Sequence, residues 1–357
     1  MTPDERWMQA CLALARQGRT APNPQVGAVI VRDGQLLGEG FHPRAGEPHA
    51  EVWALRDAIA RGHDVAGATL YVNLEPCNHH GRTPPCTEAI LQAGIAKVVV
   101  GTVDPDPRVQ GQGMARLRQA GLEVVVGVCA AACQDLNAGF FQRVRTGRPL
   151  GIWKTALTLD GYLATETGHS FWITGPQARQ RVWHLRAACD AVITGGGTVR
   201  QDNPALTSHG VSPHNPLRVV LSQTLDLPTT ARLWDTQIAP TLVCTGAPHP
   251  FLDTLRARGV EVEVLATCTP LAVAELLARR GCNTVLWECG PGLATPALTA
   301  GLIQKVWAFV APKILGSGRS PLASLGIAHM DQALTLTRSN WETCGPDLLL
   351  TGDLPPT

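Results

Sequence analysis

The sequence predicts an α/β protein built from two domains. Its 357 residues exceed the length of one ordinary domain, and 45% of them are apolar, which is enough for two packed cores. Strand-like apolar runs alternate with helix-like segments in both halves of the chain, a pattern typical of layered α/β domains. A Gly- and Pro-containing stretch at residues 146–149 interrupts this alternation. We therefore expect one domain over residues 1–146 and another over residues 147–357.

In the first half the predicted elements follow the order α-β-β-α-β-α-β-α-β. Thr2 and Glu5 form a capping-box pattern that starts the first helix. Asp33-Gly34 predicts a hairpin turn between the first two strands, and His49 opens the second helix. The predicted strands are 26–31, 35–40, 70–74, 98–101 and 123–126, and a final helix is expected over residues 130–144.

The second half repeats the alternation. Thr174 and Gln177 predict a capping box at the start of a helix over residues 176–188. Glycine-rich turns at residues 195–197, 290–292 and 316–318 follow predicted strands, and such turns bind phosphates in open α/β sheets. We therefore expect a nucleotide-like ligand here. Polar residues at the strand ends or in adjacent loops are Lys154, Asp160, Asp202 and Glu288. The strands are expected at 150–157, 191–194, 217–221, 242–244, 260–265, 284–288 and 306–310.

Composition argues against several functional classes. The net charge is +1 and no block of basic residues occurs, so an extended nucleic-acid surface is not expected. No apolar run is long enough to span a membrane, and the acidic N-terminus lacks the pattern of a signal peptide. The 11 cysteines are scattered, which favours a reducing cytoplasm over a disulfide framework. We expect a cytoplasmic protein with a small-molecule substrate.

A His-Cys-Cys pattern predicts one zinc ion in the first half. His49, Cys77 and Cys86 supply soft ligands for Zn²⁺, and three protein ligands leave the fourth position for water, as in catalytic sites. Glu51 lies two residues after His49, so the two side chains do not share a helix face, and Glu51 is better placed to move protons than to bind the metal. This combination is the signature of zinc deaminases.

A structural zinc site is the alternative interpretation of the same pattern. It would need a fourth ligand, for which His42, His79 and His80 are the available candidates.

Motifs along nearly the whole chain resemble one family, the bifunctional deaminase/reductases of riboflavin biosynthesis. In the first half these are TAPNPQVG at 20–27, HAE at 49–51 and EPCNHHGRTPPC at 75–86; the eight residues between the cysteines differ from the C-x-x-C of other deaminases. The second half adds KTALTLDG at 154–161, SFWIT at 170–174, TVRQDNPALT at 198–207, ECGP at 288–291 and APKILG at 311–316.

For the first half, the resemblance implies a cytidine-deaminase-like domain of three layers, α/β/α. This domain would hydrolyse an amino group from a diaminopyrimidinone ribosylamine phosphate. His49, Cys77 and Cys86 would hold zinc, and Glu51 would be the catalytic proton shuttle. The expected substrate contacts are Asn23, His42 and His79.

For the second half, the resemblance implies a dihydrofolate-reductase-like α/β domain. It would use NADPH to reduce the ribosyl group to a ribityl chain, and it would join two chains as a homodimer. The expected NADP contacts are Ala156, Trp172, Thr198, Asp202, Ser222, Gly290, Pro291, Gly292, Leu293, Ala294, Thr295 and Pro296. The expected substrate contacts are Ser170, Arg186, Leu206 and Glu288.

Among the departures from the family pattern in the second half, two bear on ligand binding. His209 stands where a phosphate-contacting Arg is often found, and the turn at 195–197 consists of three glycines. They motivate an alternative in which the chain is a deaminase with an inactive or structural reductase-like domain. Two further hypotheses are a nucleic-acid deaminase and a zinc-stabilised binding module without enzymatic activity.

Overall fold

The computed structural model describes residues 1–79 and 84–355. The chain forms two compact units, Met1–Thr146 and Gly147–Thr357. In the first unit the helices are α1 (Pro3–Ala15), α2 (Ala50–Ala60), α3 (Cys86–Gln92), α4 (Gln112–Gln119), α5 (Ala130–Leu136) and α6 (Ala138–Thr146). The strands are β1 (Gly27–Arg32), β2 (Gln35–Phe41), β3 (Thr69–Val72), β4 (Lys97–Val100) and β5 (Glu123–Val126).

The first unit is a five-stranded sheet between two helix layers, with strand order β2-β1-β3-β4-β5. β1 pairs antiparallel with β2 and β3, whereas β3, β4 and β5 are parallel. Because strand side chains alternate between faces, Val29 and Val31 pack against α1 and α5, while Ala28 and Ile30 pack against α2, α3 and α4. The predicted three-layer architecture is therefore confirmed.

The helix predicted over residues 130–144 is in fact two helices, so that prediction is wrong. Asn137 separates α5 from α6 with φ −102° and ψ 18°. Its side-chain carbonyl accepts from Gln25 N at 2.7 Å, and its amide donates to Gln25 O at 2.9 Å. These two hydrogen bonds hold Asn137 against another segment, at the point where α5 ends and before α6 begins.

The second unit holds a nine-stranded sheet. Its strands are β6 (Leu150–Thr158), β7 (Ala191–Gly195), β8 (Leu217–Leu221), β9 (Thr241–Thr245), β10 (Glu261–Val264), β11 (Thr284–Trp287), β12 (Lys305–Ala311), β13 (Thr337–Cys344) and β14 (Asp347–Asp353). Its helices are α7 (Pro176–Ala188), α8 (Gly196–Asp202), α9 (Phe251–Ala257), α10 (Pro270–Arg279) and α11 (Pro291–Thr299), with 3₁₀ turns at Arg232–Trp234 and Met330–Gln332.

Strand order in this sheet is β10-β9-β8-β7-β11-β6-β12-β14-β13. The strands from β10 to β12 are parallel, and the β13–β14 hairpin adds an antiparallel edge. The carboxyl ends of the central parallel strands therefore meet at one edge, where open sheets bind ligands.

The capping box predicted from Thr174 and Gln177 is wrong. The N-cap of α7 is Gly175, which makes no side-chain cap. Gly175 N instead donates to the Asp347 carboxylate at 2.7 Å, so the helix start is fixed by a residue far away in sequence.

Among the residues that the structure describes, no helix is long and apolar enough to cross a bilayer.

Candidate active sites

His49, Cys77 and Cys86 meet at the edge of the first unit's sheet. His49 is the N-cap of α2, Cys86 is the first residue of α3, and Cys77 lies in the segment after β3. His49 Nδ1 lies 3.2 Å from Cys86 Sγ and 3.5 Å from Cys77 Sγ. A tetrahedral zinc ion with ordinary bond lengths places its N and S ligand atoms about 3.5 Å apart. The three atoms thus have the spacing that one zinc ion requires.

Local hydrogen bonds hold the two cysteines together. Cys86 N donates to Cys77 Sγ at 3.4 Å, and Thr87 N donates to Cys77 O at 3.2 Å. The Thr87 hydroxyl also donates to Asn78 Oδ1 at 2.8 Å. The Cys86 side chain, together with His49, lowers the pKa of the Cys77 thiol to about 4, so this sulfur is the thiolate that a metal prefers.

A fourth protein ligand does not join this group within residues 1–79 and 84–355. His42 points Nδ1 at Pro48 O and Nε2 at Asn23, both at 3.0 Å. His79 is exposed on the cavity wall, and His80 lies outside the described residues. The described ligands therefore fit a site with one position left for water.

Glu51 lies in the first turn of α2 and is 3% exposed. Its Oε2 atom has no hydrogen-bond partner among the described residues. Burial raises the pKa of this carboxyl above its ordinary value, although His49 opposes the shift. A buried carboxylate with a free oxygen and a raised pKa is suited to accept and return a proton.

A cavity of about 520 Å³ opens onto this centre. Its wall includes Asn23, His42 and His79, the three predicted substrate contacts, together with Glu51. Because Pro48 O can only accept, His42 Nδ1 carries the proton, and Nε2 accepts from the Asn23 amide. Burial lowers the pKa of His42, which keeps the ring neutral.

Sequence reasoning missed two acidic residues of this cavity. Asp104 is 7% exposed, and burial raises its pKa to about 6. Glu75 accepts hydrogen bonds from the backbone N–H groups of Asp104, Gly111, Gly113 and Met114 at 3.0–3.4 Å. For Asp104 the signal in the sequence was the polar segment directly after the β4 run, whereas Glu75 stands in the EPC motif at 75–77 without a role that the sequence assigned.

Close packing ties this loop to the metal centre. A Cβ on Gly113 would lie 2.0 Å from Pro76 O, the carbonyl that precedes Cys77. Only glycine permits this approach, so α4 presses directly on the segment that carries a ligand.

In the second unit a cavity of about 1150 Å³ lies at the carboxyl ends of β6, β7, β8 and β11. The glycine turns predicted after β7 and β11 both line it, at Gly195–Gly197 and Gly290–Gly292. The predicted cofactor residues on its wall are Ala156, Trp172, Thr198, Asp202, Ser222, Gly290, Pro291, Gly292, Leu293 and Pro296. The predicted substrate residues on its wall are Ser170, Arg186, Leu206 and Glu288.

Two residues of the predicted cofactor set are not on this wall. Ala294 is fully buried in the core, and the Thr295 hydroxyl oxygen accepts from Ala323 N at 2.8 Å. Both lie on α11 between Leu293 and Pro296, which are three residues apart and face the cavity, so the side chains between them point elsewhere.

Charged side chains are paired inside this cavity. Arg186 Nε and Nη2 donate to the two Glu288 oxygens at 2.5 and 3.0 Å, and its Nη1 donates to Thr207 O at 3.1 Å. Lys154 Nζ lies 3.8 Å from the same carboxylate. Burial alone would raise the pKa of Glu288, but the two cations outweigh it and the pKa is lowered. Burial lowers the pKa of Lys154.

A hydrogen bond connects Asp202, a predicted cofactor contact, to Ser170, a predicted substrate contact. The Ser170 hydroxyl donates to Asp202 Oδ1 at 3.1 Å, and burial raises the pKa of this carboxyl. Nearby in sequence, the Arg179 guanidinium lies 4.3 Å from the Trp172 ring centroid, and Lys313 Nζ donates to Trp172 O at 2.6 Å.

His209 is held on the wall by stacking. Its ring lies 4.7 Å from that of Trp183, with 25° between the planes. Burial lowers the pKa of His209, and Arg186 and Arg232 act in the same direction, so the ring is neutral near pH 7. Trp183 had not been identified from the sequence, because its helical position resembles that of an ordinary core residue.

Comparison with known proteins identifies the family of the chain that carries these two sites. Residues 1–102 match the family described as "cytidine and deoxycytidylate deaminase zinc-binding region", and residues 149–350 match the "RibD C-terminal domain". The riboflavin biosynthesis protein RibD of Synechocystis sp. is 56% identical over 360 residues, covering 99% of this chain and 97% of that protein. This chain belongs to the RibD family.

Other RibD proteins agree over the same length. RibD of Aquifex aeolicus is 42% identical, covering 97% of both proteins. A crystal structure from Thermotoga maritima, named a diaminohydroxyphosphoribosylaminopyrimidine deaminase/5-amino-6-(5-phosphoribosylamino)uracil reductase, superposes with a TM-score of 0.88 at 35% identity and covers 99% of both chains. RibD of Acinetobacter baumannii gives a TM-score of 0.88 at 40% identity, again with 99% coverage of both chains.

The chain is therefore a bifunctional deaminase and reductase of riboflavin biosynthesis. Its fold joins a cytidine-deaminase-like domain to a RibD reductase domain, as the sequence predicted. His49, Cys77 and Cys86 form the zinc site of the deaminase. The hypotheses of a nucleic-acid deaminase and of a non-enzymatic binding module receive no support from these relatives.

Proposed function

We propose that residues 1–146 deaminate a diaminohydroxyphosphoribosylaminopyrimidine and that residues 147–357 reduce the deaminated product with NADPH. The observation that carries this proposal is the buried, unpartnered Oε2 of Glu51 beside three zinc ligands in an open cavity. The name of the Thermotoga relative supplies the substrate class.

In the deaminase, Glu51 is the proposed proton carrier. Bound zinc would acidify a water molecule and so supply the nucleophile. Glu51 Oε2 takes up the proton and delivers it to the departing amino group, which leaves as ammonia. The burial of Glu51 beside the three zinc ligands, with Oε2 unpartnered among the described residues, supports this assignment.

Asn23, His42 and His79 are the proposed substrate contacts of the deaminase. The neutral His42 ring, fixed between Pro48 O and the Asn23 amide, gives this wall no charge, which suits an uncharged pyrimidine. His79 is exposed at the cavity and can meet the more polar part of the substrate.

In the reductase, the glycine turns at Gly290–Gly292 and Gly195–Gly197 are the proposed seat of the cofactor. NADPH supplies the hydride that reduces the ribosyl carbon. Among the described residues, and apart from the adjoining backbone, no atom lies within 4 Å of a Cβ built on Gly197, Gly290 or Gly292, so the backbone is open to a pyrophosphate. Of the remaining cofactor set, Ala156, Trp172, Thr198, Asp202, Ser222, Leu293 and Pro296 line the same wall.

Ser170, Arg186, Leu206 and Glu288 are the proposed substrate contacts of the reductase. Since Arg186 already donates to Glu288 and Thr207, it acts mainly by holding the Glu288 carboxylate in place. Glu288 then offers a fixed acceptor to donor groups of the substrate.

We also propose a cytoplasmic homodimer joined through the second unit. Trp341 on the edge strand β13 is 57% exposed, and Leu348 on the neighbouring β14 is 43% exposed, so this otherwise polar end of the sheet offers two exposed apolar side chains to a second copy. Free cysteines throughout the described chain agree with a reducing compartment. Light scattering of dilute protein tests the dimer.

Product analysis tests the two proposed reactions together. The zinc-loaded protein is given the diaminopyrimidine substrate with and without NADPH, and the products are identified by mass spectrometry. We expect exchange of an amino group for oxygen in both samples and a gain of two hydrogens only with NADPH. Deamination without reduction would establish the deaminase-only alternative, and no deamination would overturn the proposed role of the first unit.

A further inference from the structure

Arg200 occupies one end of the reductase cavity and has no role in the sites described above. It lies on α8, and its side chain is 45% exposed. Arg200 Nη1 donates to Asp226 O at 2.5 Å and lies 3.6 Å from the Asp226 carboxylate. Asp226 is 80% exposed, so this ion pair is weak and can be exchanged for another anion.

Arg200 shares its part of the wall with two proposed cofactor contacts. A Cβ on Gly196 would lie 3.1 Å from Ser222 Oγ and 3.5 Å from Arg200 Nη1, so the three groups converge. Ser222 Oγ accepts from Leu225 N at 3.2 Å, and its hydroxyl can still donate to an incoming acceptor. Arg200 and Ser222 can therefore donate together to one anionic group.

Most other cations of the cavity are engaged elsewhere. Lys154 within β6 and Arg186 on α7 both approach Glu288, the residue that follows β11. Arg179 stacks on Trp172. Arg200 is beside the end of β8, two strands away from β11 in the sheet and so away from the paired charges.

We propose that Arg200, with Ser222, binds the 2′-phosphate of NADPH and so sets the preference for NADPH over NADH. This inference rests on the proposed use of a nicotinamide dinucleotide. With the pyrophosphate at Gly290–Gly292 and the reactive end near Glu288, the adenosine half extends toward β8, where Arg200 lies. NADH has only a hydroxyl at the 2′ position, so a guanidinium there favours the phosphorylated cofactor.

The Asp226 carboxylate adds a second expectation. It faces the same guanidinium and would repel a phosphate bound there, so its removal should strengthen NADPH binding. If Arg200 were only a structural partner of Asp226, Asp226→Asn would leave cofactor binding unchanged.

Cofactor kinetics test the proposal. Arg200→Gln should raise the KM for NADPH by about 10- to 100-fold, the loss expected for a charge-assisted hydrogen bond to phosphate, with kcat nearly unchanged. The KM for NADH should change far less, and Asp226→Asn should lower the KM for NADPH. Arg256→Gln on α9 is the matched control, because it removes the same charge from an exposed ion pair outside the cavity.

Binding of 2′,5′-ADP and of ADP to the full chain separates the inference from the proposed function. Wild type should favour 2′,5′-ADP, and Arg200→Gln should bind both equally. If the wild type prefers NADPH and Arg200→Gln keeps that preference, the inference is wrong. It is also wrong if only Arg232→Gln, which removes another cation of the cavity wall, loses the preference. A wild type that neither binds nor oxidises NADPH would overturn the proposed reductase and the inference with it.

Discussion

The two cavities differ in how their buried charges are partnered. In the deaminase cavity Glu51 Oε2 has no partner among the described residues, and Asp104 is buried with a raised pKa. In the reductase cavity Glu288 is bound by Arg186 and approached by Lys154 before any substrate enters. In the proposed mechanisms, the deaminase therefore keeps a carboxylate available to carry protons, whereas the reductase uses paired charges for positioning and leaves the redox step to its cofactor.

The largest expected effect comes from removing a zinc ligand. Cys86→Ser should lose zinc and all measurable deamination and should destabilise the first unit, because metal binding is coupled to folding of the site. Elemental analysis measures the zinc content, and ammonia release measures the deamination. Reduction of the deaminated substrate should persist, and Cys129→Ser, a cysteine outside the zinc group, should keep its metal. Full zinc occupancy in Cys86→Ser would contradict the ligand set.

The second largest effect is expected from the proposed proton carrier, Glu51. Glu51→Gln should retain zinc, since the three ligands are untouched, but should slow deamination by about 10²- to 10⁴-fold. Glu88→Gln is the control, because Glu88 is an exposed partner of Arg116. If Glu51→Gln lost its zinc, Glu51 would be a ligand and the proposed role would be wrong.

The third effect probes the paired charges of the reductase. Glu288→Gln leaves Lys154 and Arg186 buried without a counter-charge and should lower the free energy of unfolding by about 3–5 kcal/mol. The matched variant Glu342→Gln breaks a more exposed pair with Arg181 and should cost less than about 1 kcal/mol. Urea unfolding at pH 7 measures both, and equal losses would show that burial does not strengthen the cavity pair.

Opposite pH dependences are expected for the two carboxyls. The folded pKa of Glu288 is lowered, so its stabilising contribution is complete above the unfolded pKa and is lost as the pH falls through the folded pKa. The folded pKa of Asp104 is raised to about 6, so stability is lost as the pH rises from the unfolded pKa through about 6.

The smallest expected effect comes from the raised pKa of Asp104. Asp104→Asn should stabilise the zinc-loaded protein at pH 7 by about 1–3 kcal/mol, and the gain should shrink as the pH is lowered to 5. Calorimetry at several pH values measures it. A constant difference between pH 5 and 7 would show that the Asp104 carboxyl does not titrate in that range.

Sequence reasoning succeeded where the determinants are local. The zinc ligands stand in short motifs whose residue types restrict the chemistry, and the α-β-β-α-β-α-β-α-β order follows from apolar runs and turn signals. The failures have long-range causes. Asn137 divides a helix because it bonds to Gln25, and α7 starts at Gly175 because Asp347 accepts its N–H.

In the second unit, too, some features could not be predicted from the local sequence. The β13–β14 hairpin was not predicted, because β13 is largely exposed and polar and so lacks the apolar alternation of a buried strand. Ala294 and Thr295 belong to the motif of the glycine turn, but the turn of α11 carries their side chains elsewhere. Sequence proximity to a motif therefore does not place a side chain in a cavity.

Because Gly113 packs against Pro76 O, a substitution at Gly113 would disturb the metal centre although Gly113 is not a metal ligand. A random mutagenesis screen for riboflavin auxotrophs would recover changes at Gly113 among the metal-free alleles, although this residue donates nothing to the ion. Gly113→Ala would displace the backbone that carries Cys77, and supplementing the growth medium with zinc would not restore growth.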